Sequence, residues 1–172
     1  DVYKRQHMER LIYFKRPNVA VLEESEDIRT LWDGISQLRH TVFSDELSQY
    51  EQQESGRLED PGQHFICLTL NDNLIGYISI NSPSKKDFRM SKYFTRDAME
   101  NLATNFQPDG AVYEIRGLTL AKQFRGQGLG LKLMLASLKF AENDGATDLI
   151  AMGHTEALPL YNSCLLYTSP SP

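Results

Sequence analysis

Apolar and polar positions along this chain switch between two periods, and the switches outline its elements. Val19 to Leu22 is a short apolar run that reads as a first strand. Ser25, Glu26 and Asp27 then supply a helix cap and an acidic first turn. Ile28, Leu31, Trp32, Ile35, Leu38 and Val42 follow at the spacing of one buried helix face. Residues 48–63 are polar, contain Gly56 and Pro61-Gly62, and read as a mobile loop or short helix. Phe65 to Leu70 and Leu74 to Ile80 are β-rich runs around Asn71-Asp72-Asn73, a hairpin-turn composition, so they are expected to pair antiparallel. Residues 81–108 form an irregular surface insertion with Pro83 and a helical stretch near Arg96 to Ala103. Val112 to Leu120 reads as the next strand, Gly128 to Asn143 as a helix closed by Gly145, and Asp148 to Met152 as a further strand.

That order predicts an α/β domain of three layers, a mixed sheet flanked by helices. With 172 residues, 41% of them hydrophobic and 10% aromatic, the chain is long enough to bury one real core and short for two. A net charge of −5 without a long basic cluster argues against nucleic acid as a partner. No apolar stretch approaches the roughly 20 residues of a membrane span, because Lys132 and Lys139 interrupt the richest run. Cys67 and Cys164 lack metal or C-x-x-C spacing, so no metal site is expected and a reducing, cytoplasmic setting is. Oligomeric state is not encoded in any pattern we recognise.

The candidate chemistry starts at Arg125-Gly126-Gln127-Gly128-Leu129-Gly130, between the strand ending at Leu120 and the helix that follows. Glycines let a backbone close around a ligand, and the free N–H groups of a helix start, with the positive end of its dipole, favour an anion. An NTPase phosphate loop needs Gly-Lys-Ser/Thr after its last glycine, whereas Leu131 and Lys132 follow Gly130. The dinucleotide fingerprint starting at Gly126 and Gly128 needs glycine at 131, where leucine stands. What remains is Arg-x-x-Gly-x-Gly after a strand, with a glycine-rich helix start that binds nothing as the bland alternative.

In this pattern the chain resembles the GNAT superfamily of acyl-CoA-dependent N-acyltransferases, from about residue 19 to 163 and most strongly from 113 to 162. The resemblance implies acetyl-CoA or another acyl-CoA as donor and a small-molecule primary amine as acceptor. It implies that the strand before the glycine turn splays from the strand after its helix. Leu118, Thr119 and Leu120 would then pair with the pantetheine arm, and Arg125, Gly126, Gln127, Gly128, Leu129 and Gly130 would hold the pyrophosphate. Lys132 or Lys122 would meet a further phosphate, or remain a solvated surface charge.

Only a neutral amine attacks a thioester, so the reaction needs a base. Glu114 matches a catalytic glutamate of some family members, and Arg116 lies two residues along the same strand. The competing reading is a structural ion pair between Glu114 and Arg116. Tyr161, in Ala157-Leu158-Pro159-Leu160-Tyr161, matches the family tyrosine that protonates the leaving thiolate; alternatively it is a packed amphipathic ring. His154, at the end of the preceding strand, is a weaker candidate base.

Leu38 to Leu47 is also similar to the Arg-x-x-Val-Phe-x-x-Glu-Leu stretch of acyl-homoserine-lactone and long-chain N-acyl amino acid synthases, which share this fold. Their Glu and Arg stand one residue further apart than Glu114 and Arg116, and their tryptophan after the motif is absent, Tyr50 being nearest. An autoinducer-like synthase using acyl carrier protein is therefore an alternative, as is a non-catalytic acyl-CoA-binding module. Because the glycine turn is kept, acyl-CoA is favoured over a carrier protein. Residues 1–6 and 164–172 resemble translated sequencing adapter and are expected to be non-native, leaving 7–163 as the acyltransferase domain with its C-terminal hairpin expected to be missing. A real polar tail is the other reading of the Ser-Pro-Ser-Pro end.

Overall fold

A computed structural model describes residues 8–49, 56–83, 88–153 and 157–165. Residues 1–6, the segment 166–172, Tyr50 and His154 lie outside these described residues. Five strands form one sheet: β1 (Glu9–Lys15), β2 (His64–Leu70), β3 (Asn73–Asn81), β4 (Val112–Leu120) and β5 (Asp148–Ala151), in that spatial order. The pairings β1–β2, β2–β3 and β3–β4 are antiparallel and β4–β5 is parallel, so the sheet is mixed.

The predicted first strand at 19–22 is instead a helix, α1 (Val19–Glu24). The Asn18 side chain caps it by accepting the Val21 N–H at 2.9 Å. Four apolar residues are too few to declare a period, and the caps on both sides decide. The true first strand, β1, buries only Phe14, so as an edge strand it shows no clear alternation in sequence. The amphipathic helix α2 (Glu26–His40) starts where its Ser25 cap predicts and runs into a π-helical turn over Thr41–Glu46. The expected hairpin is present. Asn71 and Asp72 take φ of 50° and 66°, the left-handed pair of a two-residue I′ turn that Asn and Asp tolerate.

The two faces of β2 and β3 fill two cores. Phe65, Cys67 and Tyr77 pack with Phe14, Trp32 and Ile35 under α2. Ile66, Leu68, Ile78 and Ile80 pack with Ile115 and with Leu133 and Met134 of α4 (Leu129–Asn143). A helix on each face makes the three layers. The insertion carries a 3₁₀ turn at Arg89–Lys92 and α3 (Arg96–Ala103), and the last described element is α5 (Leu158–Leu165).

Candidate active site

Two irregularities of β4 create the site. Ser79 pairs with Gly117 but Ile80 pairs with Ile115, so Arg116 is an extra residue, a β-bulge that re-aims its neighbours. On the other side, β4 pairs with β5 only from Val112–Asp148 to Ile115–Ala151. β5 ends at Ala151, so among the described residues no strand pairs with that edge of β4 from Arg116 onward, leaving an opening where the resemblance implies a splay. The opening is a cavity of about 650 Å3, with Arg116, Gly117 and Leu118 on one wall, Met152, Gly153 and Tyr161 on the other, and Val42 and Phe43 from the π-helical turn beside them.

The glycine turn lies at the end of β4. Gly126 and Gly128 have φ of 77° and 78°, conformations that side-chain-bearing residues rarely adopt. Gly128 caps α4 without any side-chain hydrogen bond, so the first N–H groups of that helix are left for a ligand. The turn from Arg125 to Gly128 is solvent-exposed, while Leu129 and Gly130 are half-buried. A Cβ at Gly126 or Gly128 would meet no atom within 4 Å, so open space rather than packing surrounds them. Such an exposed, uncapped helix start fits a pyrophosphate.

Two cations read as phosphate contacts are engaged within the protein. Arg125 donates from Nε to the Leu120 carbonyl at 2.9 Å and from Nη1 to Glu46 Oε2 at 2.7 Å. It therefore ties the glycine turn to the helical motif that ends at Glu46. Lys132 pairs with Glu9 of β1. Lys122 is exposed, Gln127 donates to the Gln123 carbonyl at 3.0 Å, and Thr119 is buried in the sheet.

Tyr161 borders the cavity and is 6% exposed, and burial raises its phenol pKa. A Cβ on Gly153 would lie 2.1 Å from Tyr161 Cε2, so only glycine there lets the ring reach this place. Glu114 is 1% exposed and does not border the cavity. Its Oε1 accepts the N–H groups of Arg89 at 2.7 Å and Met90 at 3.3 Å, and its Oε2 accepts Asn81 Nδ2 at 3.1 Å. No ion pair forms between Glu114 and Arg116. The carboxylate instead pins the 3₁₀ turn from which Tyr93 and Phe94 reach the cavity.

One buried constellation has no counterpart in the sequence reading. Asp60, in the polar stretch read as a mobile loop, is 1% exposed and forms an ion pair with Arg39 at 3.2 Å. Its Oδ2 also accepts the hydroxyls of Tyr77 at 2.8 Å and Ser79 at 3.0 Å, and its Oδ1 accepts the Gly62 N–H at 2.8 Å. The Arg39 guanidinium stacks on Phe43 at 4.9 Å. A Cβ at Gly117 would stand 3.2 Å from Asp60 Oδ2, so the cluster seats directly against the bulge. The Arg-x-x-Val-Phe resemblance flags Arg39, but nothing in the sequence flags its partner.

Among the described residues no group of three His, Cys, Asp or Glu side chains is placed to hold a metal. A profile described as the acetyltransferase (GNAT) family matches residues 27–165. No curated protein matches the sequence. Among solved structures, a CoA-dependent acyl-homoserine lactone synthase, BjaI, with SAM and isopentyl-CoA, is similar at TM-score 0.67 and 19% identity, over 91% of this chain and 72% of that one. An aminoglycoside acetyltransferase from an uncultured soil metagenomic sample, in complex with sisomicin, gives 0.59 and 13% over 95% and 91%. An acetyltransferase of Trypanosoma brucei gives 0.54 and 16% over 96% and 95%. At these identities the similarity is one of fold, and it is the fold expected from the order of elements.

Proposed function

This chain belongs to the acetyltransferase (GNAT) family and is an acyltransferase; from that premise we propose that it moves an acetyl or longer acyl group from acyl-CoA to a small primary amine by direct attack in a ternary complex. The observation that carries the reading is that β4 loses its β5 partner after Ile115, where a cavity bordered by Leu118 and Tyr161 opens, with the exposed glycine turn following the end of the same strand. In this reading the free edge of Leu118, Thr119 and Leu120 pairs with the amide groups of the donor's arm. A backbone N–H near Leu118 holds the thioester oxygen as charge develops on it, an effect worth about 3 kcal/mol per donor in other acyl-transfer enzymes. The N–H groups of residues 126–130 hold the pyrophosphate, with Arg125 bracing the turn.

Tyr161 is the proposed acid. A phenol kept protonated by burial above its usual pKa of about 10 can donate to the departing thiolate throughout the neutral range. Glu114 is the proposed base, acting across a water because its oxygens already hold Asn81, Arg89 and Met90. The reaction is placed in the cytoplasm in this reading; among the described residues no helix is long and apolar enough to cross a membrane.

The test is thiol release from acetyl-CoA with a panel of primary amines. Tyr161→Phe is expected to lower kcat by roughly a hundredfold, the lower end for a general acid, without shifting the melting temperature. In the wild type the alkaline limb assigned to this acid should fall above pH 10, because the shift is upward. Glu114→Gln should lose more rate at neutral than at high pH if the residue is the base; equal loss at both identifies it as the anchor of the 3₁₀ turn. CoA binding without turnover on any amine would leave only a binding module.

A second reading draws on Phe43 and Glu46 of the synthase-like motif, which reach the cavity and Arg125 respectively. It is an autoinducer-like N-acyl synthase charged by acyl carrier protein. Turnover with acyl-CoA alone discriminates against it.

A further inference from the structure

Arg116 has no task in acyl transfer as described above, and we infer that it binds a carboxylate on the acceptor, so that the substrate is an amine that also carries an acid group, such as an amino acid. The inference rests on the acyl-transfer reading of the same cavity. Arg116 stands at the β-bulge of β4 and borders the cavity. Its side chain makes no hydrogen bond or ion pair among the described residues, and its Nε is sealed from solvent without a partner. A guanidinium has five donors and no acceptor, and leaving a buried donor such as this Nε unmet is costly unless something arrives to meet it.

The two nearby carboxylates are already taken. Asp60 accepts from Arg39, Tyr77, Ser79 and Gly62, and Glu114 accepts from Asn81, Arg89 and Met90. Desolvation acts on Arg116 more strongly than the attraction of either one, and pushes its pKa down. Arg89 also borders the cavity, and no Asp or Glu does among the described residues. A polycationic amine would therefore meet like charge on this wall, whereas a carboxylate matches the planar fork of an arginine with two parallel hydrogen bonds. The same cations favour the neutral form of a nearby acceptor amine, which is the form that attacks.

Thiol release from acetyl-CoA tests the inference with α-, β- and γ-amino acids, each measured against its own carboxamide, and with sisomicin as a polycation. The acids are expected to exceed their carboxamides at least tenfold in kcat/KM, with the difference carried by KM. Arg116→Gln should bring that ratio to within twofold, and Arg116→Lys, which keeps the charge but not the fork, should restore part of it. The ratio separates binding from mere folding, because a structural defect lowers both members of a pair alike. Carboxamides or sisomicin matching the acids, or a ratio that persists in Arg116→Gln, would overturn the inference and leave the acyl-transfer reading intact. Failure of CoA to bind at all would instead remove the reading on which it rests.

Discussion

Gly128→Trp is expected to weaken CoA binding at least a hundredfold while the chain remains folded. The backbone at this position has a φ of 78°, and forcing a residue with a Cβ into the left-handed region costs roughly 1–2 kcal/mol. That strain is small beside the stability of a domain, about 5–15 kcal/mol, and a Cβ here would meet no atom within 4 Å to disturb. The indole, in contrast, occupies the open turn and obstructs the N–H groups at the start of α4. Calorimetric titration with CoA, paired with a melting curve, separates the two effects. Unchanged affinity in a folded variant contradicts the assignment of this turn to the donor.

Asp60→Ala is expected to destabilise the fold by about 3–5 kcal/mol, the usual consequence of removing one member of a buried ion pair. Arg39 is 3% exposed, and it would be left charged beneath Phe43 with the Tyr77 and Ser79 hydroxyls also deprived of their acceptor. In a domain of this size the melting temperature should fall by roughly 10 °C. Arg39→Met combined with Asp60→Leu should recover much of the loss, because an apolar pair of similar volume leaves no charge unmatched. A single alanine variant within about 1 kcal/mol of wild type, the scale of an exposed pair, would show that the cluster is not what holds residues 56–62 against β3 and β4.

The parts of this fold that were legible in the sequence are those in which the backbone or a periodic face dictates residue type. The left-handed turn at Asn71-Asp72 and the glycines at 126 and 128 are required by φ, so they are written in the residues themselves. The buried stripe of α2 repeats often enough to declare its period. β1 and α1 were not legible: one is an edge strand with a single buried side chain, and the other is a run of four apolar residues whose state is decided by Asn18 and Ser25.

The site divides the same way. Leu118 and Tyr161, both named from the resemblance, border one cavity, while the glycine turn stands exposed at the start of α4 outside its lining. The bulge at Arg116 depends on how β3 pairs with β4, which no local pattern encodes, and it turns Arg116 from a partner of Glu114 into an unpaired cation on the cavity wall. Asp60 is invisible for the same reason: a lone Asp-Pro-Gly in a polar loop says nothing of the Arg39 and Tyr77 side chains that meet it. Arg125 was legible as a motif residue but not as a strut, since Glu46 lies 79 residues away in the chain.

The central claim is that acyl-CoA lies along the free edge of β4 with its pyrophosphate in the glycine turn. Backbone amide shifts of the ¹⁵N-labelled protein, followed while CoA is titrated in, read it most directly. The account predicts that the largest saturating shifts fall on residues 118–120 and 126–130. Binding that leaves those amides unmoved and shifts instead the opposite mouth of the sheet, around His64, Tyr113 and Asp144, would contradict it.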